Sequence, residues 1–262
     1  MTRGTFATEL RLTGTEVAAD ARAARSAIAD AEVVHMRLDH KPDNARDFYD
    51  RFVELIGRPI DAAENYVDGA PTGNRWSEIR YKTTVPDDLA FRHSKNAQPM
   101  HTDASYVSAP PQVMLFYCVN AAPSGGETVF ISGRALVDEL AANRPDLLDR
   151  LTTIDVTYEK AGDSRTRPII EIVDGGRVDL NYNYFCAPAD QDEAALRLNQ
   201  DFLDYLQHEL PDALVHPVGL QPGDAVAWWD DLVLHGRNAF EATRTDDRLI
   251  WKTGLHLDPV HA

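Results

Sequence analysis

Two segments of this 262-residue chain carry a histidine and an aspartate separated by one residue. They are His101-Thr102-Asp103, within Gln98-Pro99-Met100-His101-Thr102-Asp103, and His256-Leu257-Asp258. On an extended strand residues i and i+2 point the same way, so either pair could offer an imidazole and a carboxylate to one metal ion. A third ligand must come from elsewhere, and a neutral imidazole on a later strand would complete a face of three. Two histidines and one carboxylate leave three octahedral positions open, an arrangement that suits non-haem Fe(II) chemistry with oxygen. A tripeptide that occurs twice cannot identify the site alone.

The surroundings of the two copies differ. Only His261 follows the second copy, in a tail expected to be mobile. The first is followed by Ser124-Gly125-Gly126-Glu127-Thr128-Val129-Phe130 and, much later, by Gln221-Pro222-Gly223-Asp224 and an apolar run, Ala225–Trp229. Next come Asp230-Asp231-Leu232-Val233-Leu234-His235-Gly236, and Arg248 lies 13 residues beyond His235 (248 − 235). Thr128 follows His101 by 27 residues (128 − 101).

In this ordered form the sequence resembles the taurine-dioxygenase (TauD/TfdA) family of Fe(II)- and 2-oxoglutarate-dependent oxygenases. The family pattern is His-x-Asp, a Gly-Gly-acid-Thr segment, a distal His and then an Arg, and the match spans roughly residues 98–257. The resemblance implies a double-stranded β-helix core with the metal between its two sheets. It implies His101, Asp103 and His235 as iron ligands. Arg248 would take the distal carboxylate of 2-oxoglutarate, helped by the Thr128 hydroxyl. A planar guanidinium suits that task because it binds a carboxylate through two parallel hydrogen bonds. Arg244 is the competitor, but it sits in the polar loop 241–247.

The implied reaction uses O2 and hydroxylates an unactivated C–H bond, with release of succinate and CO2. Related halogenases replace the ligand carboxylate by Gly or Ala, so Asp103 points to hydroxylation. Desaturation, or C–S or C–N cleavage through an unstable hydroxylated product, uses the same cofactors. A non-catalytic metal-binding jelly roll is the non-enzymatic alternative. The chain departs from the family at Lys252, where many relatives carry a second Arg four residues after the first, which leaves the role of Lys252 open.

The elements that must position these residues are legible in part. Val17–Asp30 is Ala-rich and reads as a helix, 33–38 as a short strand, and 45–57 as a helix whose apolar face is closed by Gly57. The run 113–119 is a continuous apolar strand, and Gly125-Gly126 turns into a strand over 127–131. Short helices are expected at 133–140 and 145–151. Asp174-Gly175-Gly176 joins strands 169–173 and 178–184 in a hairpin, and one long helix covers 190–209. Strands at Ala225–Trp229 and 248–257 close the series. Without regular βαβα alternation, this reads as a mainly β fold with flanking helices: a jelly-roll, cupin-like core. A single domain over 1–262 is expected, with a mixed α/β part over 1–95 and the jelly roll with a helical insert over 96–262.

Composition narrows the partners. The chain is 44% hydrophobic and 26% charged, ordinary for a globular protein with a sizeable core. Its net charge of −16 disfavours phosphate backbones, and no apolar stretch is long enough to span a bilayer. Two isolated cysteines and the lack of a signal-peptide core suit a cytoplasmic protein. The expected partner is a small polar metabolite such as an amino acid, an amino-acid derivative or a sulfonate; homo-oligomer formation is left open. Candidate substrate residues are Ser94, Asn96 and Gln98, which lead into the His-x-Asp, together with Arg80 and Asn181 (Tyr81 and Asn183 beside them). Trp228 and Trp229 read as packing residues, Cys118 as a buried thiol, and Asp230 or Asp231 as an orienting partner for His235. His35, His40, His93, His208 and His216 read as structural or exposed.

Overall fold

The computed structural model describes residues 4–61, 72–85 and 90–257. The chain opens with β1 (Thr5–Leu12), α1 (Val17–Asp30), β2 (Ala31–Leu38), α2 (Ala45–Ile56), β3 (Arg58–Pro59) and β4 (Ser77–Arg80). Then follow β5 (Gln98–His101), β6 (Val113–Asn120), β7 (Ser124–Gly125), β8 (Thr128–Ser132), α3 (Gly133–Asn143) and α4 (Pro145–Thr153). Two hairpins, β9 (Asp155–Lys160) with β10 (Asp163–Pro168) and β11 (Ile170–Val173) with β12 (Arg177–Leu180), precede α5 (Glu193–His208). The remaining strands are β13 (His216–Val218), β14 (Ala225–Trp229), β15 (Val233–Arg237), β16 (Phe240–Glu241) and β17 (Leu249–His256).

Two sheets face each other. The larger has the order β1-β2-β14-β6-β17-β3, with β4 also paired to β17, and the smaller has the order β13-β8-β15-β5. Strand alternation sorts side chains between layers. On β6, Val113, Leu115 and Tyr117 pack outward with α1 and α2, while Met114, Phe116 and Cys118 turn inward. On β17, Trp251 and Leu255 go out and Ile250 goes in. Phe130 and Val233 of the smaller sheet meet this inner face, and Ile131 and Leu234 point the other way, into a cluster built by α3, α4, α5 and the two hairpins. The result is a jelly roll between two helical layers.

Local signals explain the helices. Asn44 caps α2 by accepting hydrogen bonds from the Arg46 and Asp47 N–H groups, and Asp192 caps α5 through Ala194 N–H; each such cap is worth about 1 kcal/mol. The two α2 faces separate cleanly, with Tyr49, Phe52, Val53 and Ile56 buried.

Several expectations need correction. The mixed α/β N-terminal part contributes to the larger sheet: β1 and β2 form a parallel pair joined through α1, and β2 docks antiparallel on β14. β1 escaped notice because TFATELRL is mostly half-exposed at the sheet edge, with little apolar alternation to read. The β9–β10 hairpin was missed for the same reason, since Asp163–Pro168 carries no buried residue. The strand expected over 178–184 ends at Leu180, and Tyr184 lies in a 3-10 turn. Among the described residues no helix is long and apolar enough to cross a membrane.

Candidate metal centre

His101 and His235 are direct cross-strand partners on β5 and β15, with ring centroids 4.2 Å apart. Gly236 permits the approach: a Cβ there would lie 2.8 Å from the Gln98 carbonyl oxygen on β5. Asp103 completes the cluster. One donor atom from each of His101, Asp103 and His235 lies within 4.8 Å of the others, and this is the set of at least three potential ligands found among the described residues. Of the rival pair, Asp258 lies outside the described residues, as does His261.

His101 and Asp103 are close together, but not because they share one face of a strand. β5 ends at His101, and Asp103 sits in the following turn. What holds that turn is Asp230, whose Oδ2 accepts hydrogen bonds from the N–H of Asp103 (2.9 Å) and of Ala104 (3.4 Å). Its Oδ1 accepts from Trp228 Nε1 at 3.2 Å. The expected bond from Asp230 to His235 is absent: Oδ1 and His235 Nδ1 are 3.8 Å apart, too far for a hydrogen bond. Asp231 instead pairs with Arg177. Asp230 therefore orients the carboxylate ligand candidate rather than the imidazole.

Electrostatics favour the ligating forms. Burial lowers the pKa of His101, and burial followed by repulsion from His101 takes His235 well below the usual imidazole range. Neutral imidazole is the form that binds metals. Burial works to raise the Asp103 carboxyl, but Lys252 and then the two histidines outweigh it and hold it well below the usual carboxylate range. Burial and the charge of Asp103 push Asp230 up to about 7. The His101 Nδ1–H donates to the Pro99 carbonyl at 2.9 Å, which leaves Nε2 facing the cluster. Around His235 stand Trp228, Phe116 and Phe130, with ring centroids 4.7, 6.4 and 6.5 Å away. Trp228 is a packing residue, as its type suggested, and also a wall of the site.

A second feature lies on the same inner faces. Arg248 is 4% exposed, and burial lowers its pKa to about 10. Among the described residues no carboxylate pairs with it; one Nη2–H donates to the Gly126 carbonyl at 3.3 Å. Gly126 has φ +80°, and a Cβ there would come within 3.2 Å of Arg248 Nε, so glycine both makes the turn and makes room for the guanidinium. Two residues on, the buried Thr128 hydroxyl lacks a hydrogen-bond partner, as do Asp103 Oδ2 and His235 Nδ1. A buried cation without an anion and a set of unsatisfied polar atoms fit a metal ion and an anionic cosubstrate, because such groups are costly to bury unpaired. Arg244 is exposed and pairs with Asp247, so it is not the equivalent of Arg248.

The remaining candidates scatter. Gln98 is closest, its amide donating to His101 Nε2 at 3.1 Å. Ser94 and Asn96 contribute backbone carbonyls that accept from Arg237 Nη2, at 3.2 and 2.6 Å. Arg80 faces away: in register with Leu249 it shares the outer side with Trp251, pairs with Glu78 and Asp246, and lines an open cleft of about 870 Å³. Ser77, in register with Lys252, lies on the inner side of β4, as does Ile79 in register with Ile250. Asn181 is buried, with its Nδ2 unpartnered, and lines a cavity of about 90 Å³ with Arg165, Asp230 and Asp231. Lys252 is the residue left open by sequence; its Nζ donates to Asp103 Oδ1 at 2.5 Å.

A jelly roll with two histidines and one carboxylate at the mouth of its two sheets defines a class of metal-dependent oxygenase scaffolds. The family model described as taurine catabolism dioxygenase TauD, TfdA family matches residues 2–253, and the chain belongs to that family. It is 26% identical to human gamma-butyrobetaine dioxygenase over 156 residues, covering 54% of this chain and 40% of that protein. The match thus spans well under half the length of that curated relative. Among solved structures, PvcB from Pseudomonas aeruginosa aligns with a TM-score of 0.66 at 20% identity, over 96% of this chain and 86% of its own. An asparagine oxygenase in complex with Fe(II), a hydroxyasparagine and succinate aligns with a TM-score of 0.69 at 12% identity, over 95% and 93%. These likenesses establish the fold.

Proposed function

We propose that the chain, acting as one domain over 1–262, is an Fe(II)- and 2-oxoglutarate-dependent oxygenase that hydroxylates a C–H bond of a small polar metabolite. The substrate class we favour is an amino acid or amino-acid derivative, in line with the relatives named for gamma-butyrobetaine and asparagine. The observation that carries the reading is the presence of two sites on the facing inner sides of the two sheets. One is a neutral His, neutral His, carboxylate cluster, and the other is a buried arginine with no carboxylate partner among the described residues.

In this reading His101, Asp103 and His235 hold the metal. Arg248 holds the far carboxylate of 2-oxoglutarate, with the Thr128 hydroxyl as a second donor. When bound, iron and 2-oxoglutarate supply the oxidising chemistry with O2, giving succinate, CO2 and one oxygen atom for the substrate. The protein contributes order and dryness. Asp230 fixes the Asp103 turn, Phe116, Phe130 and Trp228 exclude water from one side of His235, and Gln98 stands where a substrate would approach His101. The formal net charge of −16 argues for a small molecule rather than nucleic acid. Neither cysteine forms a disulfide, which suits a cytoplasmic setting.

The test is anaerobic loading with Fe(II) and 2-oxoglutarate, followed by an oxygen-dependent succinate screen over amino acids, their N-methylated derivatives and sulfonates. A product one oxygen atom heavier than its substrate supports hydroxylation, and loss of two hydrogens reassigns the outcome to desaturation. No succinate from any substrate, despite bound iron and cosubstrate, would leave a metal-binding module without turnover.

A further inference from the structure

Lys252 follows Ile250 on the inward side of β17 and stands in register with Phe116 on β6 and Ser77 on β4. Among the described residues its ion-pair partner is Asp103, through Oδ1 at 2.5 Å. The other oxygen, Oδ2, is buried, has no hydrogen-bond partner, and lies 3.7 Å from His235 Nε2. Each oxygen lies near an imidazole, Oδ1 3.8 Å from His101 Nε2 and Oδ2 3.7 Å from His235 Nε2, but Oδ1 is engaged by a cationic donor while Oδ2 has no hydrogen-bond partner. The backbone of Asp103 is held independently by Asp230, whose Oδ2 accepts from the Asp103 N–H at 2.9 Å.

We infer that Lys252 is a positioning residue that restricts Asp103 to ligating the metal through Oδ2 alone, keeping one more coordination position open at the expense of metal affinity. This rests on the reading of His101, Asp103 and His235 as the metal ligands. The physical basis is twofold. A short charge-assisted hydrogen bond makes Oδ1 a poor second ligand, because chelation through both oxygens requires breaking it. A lysine cation a few ångströms from the site also repels a dication, so the arrangement weakens metal binding while preserving the open face that a chelating cosubstrate needs. The protein groups facing the Lys252–Asp103 pair, namely Asp230, His101 and His235, include no other cation that could substitute for it.

Titration with Co(II) as a spectroscopic stand-in for Fe(II), with crystal structures of the Co(II)-loaded proteins, tests this directly. The wild type should bind Co(II) through Asp103 Oδ2 only. Lys252→Met should bind it through both oxygens, with an altered visible spectrum and on the order of ten-fold tighter affinity. Lys252→Arg, which restores a cationic donor, should keep single-oxygen ligation and wild-type affinity, and separates loss of the cation from general damage to β17. Circular dichroism and melting temperature check that each variant is folded. Single-oxygen ligation in Lys252→Met overturns the inference, whatever the affinity. Absence of Co(II) from His101, Asp103 and His235 in the wild type instead overturns the metal-site reading beneath it.

Discussion

Arg248→Met offers a prediction whose sign runs against ordinary experience of buried arginines. Removing a buried charged residue usually unfolds a protein because its partner is stranded. Arg248 has no carboxylate partner among the described residues, so the cost of burying it is borne by the cosubstrate-free protein. Its fall from the ordinary arginine range to about 10, in a side chain that is 4% exposed, corresponds to about 3 kcal/mol of unfavourable burial. Methionine fills similar space without charge. The lost hydrogen bond to the Gly126 carbonyl and the contact with the Phe240 ring, 5.5 Å away, offset about 1 kcal/mol. The net gain of about 2 kcal/mol should raise the apparent Tm of the cosubstrate-free protein by about 5 °C. Binding should move the other way: loss of a buried charge pair with the cosubstrate weakens 2-oxoglutarate by about 3 kcal/mol, or about 150-fold in Kd. Scanning fluorimetry with and without 2-oxoglutarate on the metal-loaded protein reads both quantities. A variant that melts lower than wild type when free, yet is still stabilised by 2-oxoglutarate, would refute the reasoning.

Three further outcomes are expected. Asp103→Ala should abolish substrate-coupled hydroxylation and weaken Co(II) binding at least ten-fold by calorimetry, and wild-type turnover in chloride should give no chlorinated product by mass spectrometry. Gly126→Ala should weaken 2-oxoglutarate by about ten-fold while leaving metal binding within two-fold, because its Cβ would press on Arg248 Nε at 3.2 Å and φ is +80°. Asp230→Asn should loosen the Asp103 turn, lowering metal affinity by about ten-fold in calorimetric titration, since an amide replaces a carboxylate acceptor of two backbone N–H groups.

Much of the frame was legible in sequence because it obeys periodicities. α1 begins and ends where its Ala-rich run does, and β6 and β14 are apolar on both faces because helices cover one side and the second sheet the other. The triad was legible through the order of its context rather than its spacing, since His101 and His235 meet only through β5–β15 pairing. What stayed hidden depended on direction. No sequence period tells which side of β4 faces the site, so Arg80 attracted notice and Ser77 did not. Nor could two adjacent acids after β14 reveal that Asp230 holds a backbone turn while Asp231 pairs with Arg177. Lys252 could be flagged as unusual, but its attachment to one oxygen of Asp103 is a matter of rotamer and burial.

The docking of β2 on β14 has a consequence for how the protein is made. Val33 pairs with Trp228, and His101 with His235, across separations that no short-range folding event can close. A growing polypeptide that has exposed His101 and Asp103 can offer only a two-point grip, weak and unselective, until β14 and β15 have been synthesised and seated between β2, β6 and β8. If His101, Asp103 and His235 hold iron as proposed, the three-ligand site can form only after β15 has paired with β5. A defect in β1 or β2, far from any ligand, is for that reason expected to register first as failure to acquire metal.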